Sequence, residues 1–390
     1  MNQKLLVLAI AATLVAPMAA DADVKLSGTI QGEITSSEVG DPPDDQDRET
    51  LTKDKEGAIF NGGSNALTFD IDEKLGGGLA AYARYQGTFN TSDNEGFGGK
   101  EAYLGLKTSS FFLRYGKLTG AYKSSQSLAD PWAGTSLQAR GTGGGMSGSK
   151  YNSVTWDDVS KTFNTTAAAN TNDAGKGLSH SGYIEGALEA GMKMAGFTGR
   201  IQGVVDDRSD MDGAGLLELL YSAPNETFTM WLSGAYTDLD LKDTVNDAVD
   251  SATGEEKNDN TDDGLGNWKI GGQFKLGPAL TLGLQYEDAE LGAFDNNPDG
   301  GNYIIGSVDF MMNNFSLAAW VGGYLSDIED NAKLRDDQGN VIDEDALSWA
   351  LGGKYLFSKR TMVYAGYRQT DSDNDYRDED VFALGLKHSF

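Results

Sequence analysis

The 390-residue chain contains no cysteine, 2 histidines and 7 prolines. Without thiols there is no disulfide framework, no thiol nucleophile and no cysteine-ligated metal. The two imidazoles are His180, in an irregular stretch, and His388, near the end of an alternating segment. A Ser-His-Asp arrangement or a histidine zinc site has little to build on, so neither catalysis nor a cofactor is expected. Long hydrophobic runs are missing as well. Beyond the leading segment nothing approaches the roughly 18 apolar residues of a helical membrane span, so any span must be a strand. Positive charge is scarce: 31 Lys and Arg face 59 Asp and Glu, for a net charge of −28. Such a chain repels a nucleic-acid duplex, and no nucleic-acid partner is expected. Glycine is abundant, at 51 residues, and 10% of the chain is aromatic, which argues against disorder.

Residues Met1 to Ala22 read as a secretory signal. Lys4 supplies the positive start, Leu5 to Ala16 the apolar stretch, and Ala20-Asp21-Ala22 a small-residue cleavage site before Asp23. The expected mature chain, 23–390, is one domain. Removing the leader takes away Lys4 and Asp21, one charge of each sign, so the acidity belongs to the folded part.

From Val24 onward the chain alternates. Val24, Leu26, Ile30 and Ile34 share one face with Gly28 and Gly32, while Lys25, Ser27, Thr29, Gln31 and Glu33 share the other. The same period of two sets Leu79, Ala81, Ala83 and Tyr85 against Ala80, Tyr82, Arg84 and Gln86. At the C-terminus it sets Phe382, Leu384, Leu386 and Phe390 against Val381, Ala383, Gly385, Lys387 and Ser389. The second face is not that of a hydrophobic core. A soluble sandwich would also alternate, so connection length decides. Short links at Ser222 to Glu226, Leu276 to Ala279, Met312 to Asn314 and Phe357 to Arg360 alternate with long ones near 238–264, 291–301, 326–346 and 371–380. That asymmetry belongs to a transmembrane antiparallel β-barrel. Counting back from Phe390 and forward from Val24 leaves Tyr151 to Trp156 and Tyr183 to Leu188 as rival segments. With both termini on one side the number is even, so sixteen strands are expected, one rival is spurious, and 158–180 is an inserted loop. Aromatic residues such as Tyr236, Tyr286, Trp349 and Phe390 are expected near the membrane interfaces.

Several stretches resemble the general porins of Gram-negative outer membranes. Asp72-Glu73-Lys74-Leu75-Gly76-Gly77-Gly78-Leu79 is similar to that family's Glu-Asp-Leu-Gly-Gly-Gly-Leu turn, and Lys100 to Leu106 to its Arg-x-Ala-Tyr-Val-Gly-Leu strand. Tyr115-Gly116-Lys117 stands where the family has Tyr-Gly-Arg, Lys150 to Trp156 resembles Arg-x-x-Asn-Ser-Val-x-Tyr, and the chain ends, like the family, in a strand closing on Phe. The resemblance implies a homotrimer of sixteen-stranded, water-filled barrels in the outer membrane, bordered by lipid and lipopolysaccharide. It implies passage of small hydrophilic solutes and ions, and a long third loop, Thr119 to Ser149, folded into the lumen. Asp130 would supply a carboxylate at the constriction, with Arg84, Lys117 and Lys150 on the facing wall and Arg140 in the loop. Opposed charges across such a gap make a transverse field that filters solutes. Parity groups Lys117 with Phe111, Leu113 and Tyr115, so a lumen position for it requires a bulge.

Two cations of the family pattern are missing: Ala66 and Asp70 stand where it has arginine and lysine, both on the polar parity. Asp70, Arg114 and Arg200 are expected to charge the lumen wall. The connections 238–264, 326–346 and 371–380 hold 24 acidic against 5 basic residues, −19 of the −28. Solvation explains exposed acidic loops; cation concentration at the mouth and divalent bridging to anionic lipopolysaccharide are the functional alternatives. Both observations point to a cation preference. Asp295-x-Asn297-x-Asp299-Gly300 opens like a calcium loop, but its twelfth position is Gly306 and the segment runs into a strand, so no metal is expected. A substrate-specific channel and a secreted β-sandwich adhesin or carbohydrate-binding protein remain as alternatives.

Overall fold

A computed structural model describes residues 22–39, 55–60, 65–89, 91, 98–139, 155–157, 162–164, 183–205, 215–238, 264–290, 299–325, 345–372 and 378–390. In chain order the strands are β1 (Ala22–Val39), β2 (Lys55–Phe60), β3 (Ala66–Gly76), β4 (Leu79–Thr88), β5 (Gly98–Lys107) and β6 (Phe111–Thr119), followed by β7 (Thr155–Asp157) and β8 (Thr162–Asn164). Then come β9 (Tyr183–Met194), β10 (Phe197–Val204), β11 (Gly215–Ser222), β12 (Phe228–Asp238), β13 (Gly264–Leu276) and β14 (Leu280–Glu290). The last five are β15 (Asp299–Met312), β16 (Phe315–Leu325), β17 (Ala346–Leu356), β18 (Thr361–Ser372) and β19 (Glu379–Ser389).

Consecutive wall strands pair antiparallel, β6 pairs with β9, and Thr29–Val39 of β1 pairs with Glu379–Ser389 of β19, closing the ring. The other edge of β1 takes β3 along its first half and β2 along its second. Thus β2 and β3 share one position, and the wall has sixteen strands. Among the described residues the ring is closed, and each of the sixteen wall positions has a paired neighbour on both sides. Of the rival segments, Tyr183–Met194 is the wall strand. Thr155–Asp157 instead pairs with β8 in a separate two-stranded ribbon.

Among the described residues every second side chain points outward, and the outward set is largely apolar: Val24, Leu26, Ile30 and Ile34 on β1, and Phe315, Leu317, Val321 and Leu325 on β16, are all exposed. Tyr236 and Phe390 belong to the same outer surface. The inward set is buried and largely polar: Gln31, Glu33, Glu189, Ser233, Lys269, Gln285, Glu287 and Ser348 are all nearly inaccessible. A soluble sandwich has the reverse polarity. Exposed apolar bands around a polar interior suit a wall immersed in lipid.

Short links join strands at one rim and long connections at the other. Ala195-Gly196 turns β9 into β10 with φ of 50° and 87°, the pair of positive angles that a tight two-residue hairpin turn uses. The links 277–279, 313–314 and 357–360 fall where chain alternation places them.

Candidate functional site

Residues 120–139 follow β6 and run along the inside of the wall. They open with one helical turn, α1 (Ala121–Ser124), and continue through a 3-10 turn at Gln126–Leu128. The first part hangs from β10 to β14. Ala121 N donates to Gln202 Oε1 at 2.7 Å, the Tyr122 hydroxyl donates to Glu287 at 3.1 Å, and the Ser125 and Ser233 hydroxyls bond at 3.1 Å. Ser124 also donates to Glu218. The second part hangs from β16, β17 and β1. Trp132 Nε1 donates to Ala318 O at 3.2 Å, Lys354 Nζ to Pro131 O at 2.6 Å, and Gln31 Nε2 to Gly134 O at 2.8 Å. From β16, Trp320 Nε1 donates to Leu137 O at 2.9 Å. Glu33 takes the Ser136 N–H at 3.0 Å and the Tyr364 hydroxyl.

Between these bonds lies an apolar cluster of Trp132, Leu137, Trp231, Trp320, Tyr364 and Ile305 with several alanines, each at most 2% exposed. Gly352 and Gly366 leave the room that Trp132 and Leu137 occupy: a Cβ on Gly352 would sit 2.8 Å from Trp132, and one on Gly366 2.6 Å from Leu137. The inward face is therefore polar over part of its circumference only. Along β12 to β19 it includes an apolar seat for the 120–139 segment, contrary to the expectation that this face holds no hydrophobic core.

The wall from β3 to β11 is different. Toward the rim of the short turns its inward residues form a chain of ion pairs beside a cavity of about 670 Å³, while toward the long connections Leu118, Ile184, Ala187, Val204 and Leu216 close on Ala121 and Tyr122. Arg84 donates to Asp70 at 2.7 Å and to Glu101 at 3.2 Å, and Glu101 accepts the Thr119 hydroxyl at 2.8 Å. Arg114 bonds Glu189 at 2.7 Å and lies over the Tyr103 ring at 4.6 Å. Glu189 also takes Arg200 at 3.4 Å and Gln202 at 2.5 Å, and Arg200 continues to Glu218 at 2.7 Å. Each guanidinium is held by at least one carboxylate, so its position along the wall is fixed.

Of the residues expected from sequence to matter, Asp70, Arg84, Arg114 and Arg200 line this cavity. Asp130 is 5% exposed, and its carboxylate accepts Trp132 N at 2.8 Å and Ala139 N at 2.9 Å, tying the segment to itself. Lys117 requires a correction. Its partner is Glu185, at 2.6 Å on the outer side, and it keeps the parity of the exposed Phe111, Leu113 and Tyr115. A bulge is present, but β9 carries it: Gly116 pairs with Ala187 and Leu118 with Ile184, so the extra residue is on β9 and the parity of β6 is unchanged. Arg140 and Lys150 lie outside the described residues. So does most of the calcium-like loop; Asp299 and Gly300 begin β15. No group of three or more metal-ligating side chains occurs among the described residues.

Sequence reasoning missed Glu101, Glu189 and Glu218, which hold the arginines; it put Lys269 and Glu287 on the polar parity of their strands but missed that they face each other across β13 and β14 under the Tyr122 ring. A signal existed for some of them. Lys269 and Glu287 are equidistant from Pro278, as Asp70 and Arg84 are from Gly77, so hairpin symmetry alone pairs them.

The Gram-negative porin family model matches residues 6–375. The chain belongs to that family. This porin is 22% identical over 397 residues to the major outer membrane protein P.IB of Neisseria lactamica, with both chains fully covered. Its fold is similar to that of an anion-selective porin from Comamonas acidovorans, at 13% identity and a TM-score of 0.64 over 95% of this chain and 100% of that one. It is also similar to the trimer form of OmpT, an outer membrane protein of Vibrio cholerae, at 13% identity and a TM-score of 0.56 over 95% of this chain and 99% of that one. The protein is thus a channel of the outer membrane, not an enzyme.

Proposed function

We propose that this porin lets small hydrophilic solutes and ions diffuse down their gradients, with a preference for cations. The observation that carries the reading is the polarity of the wall: apolar outside, and inside a charged surface beside an open cavity. No chemistry is needed for such a task, only a water-filled path whose fixed charges weight the entry of ions. The cation preference rests on the acidic long-connection rim, −19 in three connections. Asp70 contributes less, because Arg84 holds it. Residues 120–139 would narrow the path, since they cover the β12 to β19 wall and the long-connection ends of β6 and β9 to β11, and leave the short-turn half of the β3 to β11 wall facing the gap.

The same reading makes 1–22 a removed signal peptide, puts the short turns on the periplasmic side and the acidic rim outside, and assembles the barrel as a homotrimer in contact with lipid and lipopolysaccharide. The trimer form of OmpT supports that assembly. The test is a planar bilayer with detergent-extracted protein and a potassium chloride gradient. Stepwise conductance with a cation-selective reversal potential is expected. An anion-selective potential would discard the charge argument, and silence from a heat-modifiable barrel would discard free diffusion. The cation preference should fade near 1 M salt, where the Debye length is about 3 Å.

A further inference from the structure

We propose that the cavity at the short-turn rim is a binding subsite for small dicarboxylates, anchored by Lys193. The inference rests on the diffusion reading above, and it gives the porin an anion station inside a channel whose other rim is acidic.

Six cations line the cavity: Lys25, Arg84, Lys107, Arg114, Lys193 and Arg200. Four are already engaged. Asp70 holds Arg84, Asp72 holds Lys107, Glu189 holds Arg114 and Glu218 holds Arg200. Among the described residues, Lys25 and Lys193 make no ion pair. Lys193 is exposed to the cavity and stands over the Phe112 ring at 5.9 Å, the ring that Arg114 approaches from 5.8 Å. An aromatic face offers a cation only a weak partner at an exposed site, about 0.5–1 kcal/mol, so the ammonium keeps its three donors available. The nearby turn adds hydroxyls: Thr108, Ser109, Ser110 and, from β10, Thr198 line the same cavity. The Lys193 backbone N–H donates to Ser110 O at 2.7 Å, which fixes the lysine's strand to that turn.

The chemistry of this corner is an uncommitted ammonium beside guanidinium edges and hydroxyl donors, with water access. It suits an oxygen-rich anion, and more than one cation within one cavity suits a solute with two carboxylates. The rings do not select an aromatic ligand, because cations already cover them: Lys107 over Tyr82 at 5.0 Å, Arg114 over Tyr103 at 4.6 Å. The buried Glu101 and Glu189 lie behind the arginines and offset their charge. Asp23, Asp70, Asp72 and Glu218 line the cavity as well, the last three held by Arg84, Lys107 and Arg200; among the described residues Lys193 forms an ion pair with none of them and therefore dominates the contact.

The test uses the native porin in a planar bilayer in dilute potassium chloride, with succinate as probe on either side. Succinate from the short-turn side should reduce single-channel current in a saturable way, and from the acidic rim less effectively. Lys193→Gln should weaken the block about tenfold, the loss of one charge-assisted contact. Lys275→Gln, which removes a β13 lysine bonded to Glu226 in the turn between β11 and β12, should leave the block unchanged. A block that persists undiminished in Lys193→Gln, or an open channel indifferent to succinate, overturns the subsite and leaves the diffusion reading intact. Absence of any channel in potassium chloride would bring down the diffusion reading and the subsite together. Lys193 is exposed, so its replacement leaves folding intact, and retained heat-modifiability checks this.

Discussion

The wall from β12 to β19 and the wall from β3 to β11 share one period, one sheet and one lumen, yet their inward residues do opposite work. On the first, Trp231, Ile305, Trp320 and Tyr364 close on Trp132 and Leu137 and exclude water. On the second, toward the short turns, carboxylates pin Arg84, Arg114 and Arg200 beside a cavity. An aromatic residue removes roughly 150–250 Å² from water, several kcal/mol at about 25 cal/mol per Å², so the first wall seats the 120–139 segment. Ion pairs do not supply that kind of stability, because desolvation offsets much of their attraction. They fix charge in space, as a selective channel requires. Alternation reveals which side chains point inward; the residue type at those positions then decides whether a stretch of wall holds a loop or meets solutes.

The largest effect is expected at Trp132→Ala. It empties the seat between Ala318, Gly352 and Tyr364 at a cost of about 3–5 kcal/mol in segment docking. Single-channel current should rise and become noisy while the barrel stays heat-modifiable; an unaltered, quiet current would mean that the apolar wall does not seal. Next comes Glu189→Gln on the charged wall. It leaves Arg114 and Arg200 sharing a neutral amide at a fully buried position, a loss of about 3–5 kcal/mol. The unfolding midpoint in denaturant should fall and the reversal potential should move toward anions. Stability that does not change would show the network to be ornamental.

Asp70→Lys should shift the permeability ratio toward anions by a smaller step and set two cations face to face across β3 and β4. If the ratio stays put, Asp70 does not act on the ion path. Lys117→Gln should do least: its pair with Glu185 is on the outer side and partly exposed, so about 0–1 kcal/mol is at stake and selectivity should hold. A change in reversal potential would return Lys117 to the lumen.

Much of the barrel was legible. Strict alternation gave each strand its outward face, and the short links gave the hairpins, because a period of two tolerates no register slip once one face meets lipid. The two rival segments, Tyr151 to Trp156 and Tyr183 to Leu188, could not be separated by pattern, since both alternate. What separates them is the partner: β6 and β10 flank the second and leave no place for the first. The charged wall was half legible. Arg84, Arg114 and Arg200 announced themselves by parity, and symmetry about Gly77 matches Arg84 with Asp70. Glu189 meets Arg114 only after more than seventy intervening residues, so no local rule pairs them. The apolar seat was hidden for the same reason, because Trp231, Trp320 and Tyr364 come from separate strands and gain meaning only when Trp132 reaches them. Lys117 shows the limit of family resemblance: the motif placed it in the pore, whereas the parity of its own strand placed it outside.

The chain's lack of cysteine makes one experiment clean, since a single introduced thiol is the sole target of a charged methanethiosulfonate reagent. Thr198→Cys, on the cavity wall, and Ala350→Cys, in the sealed cluster at 1% exposure, compare the two walls directly. The account predicts that a cationic reagent in the bath rapidly modifies Thr198→Cys, with a stepwise change in current, and leaves the current of Ala350→Cys as it was. Equal modification of both, or of Ala350→Cys alone, would contradict the division of the lumen into a dry wall and a conducting one.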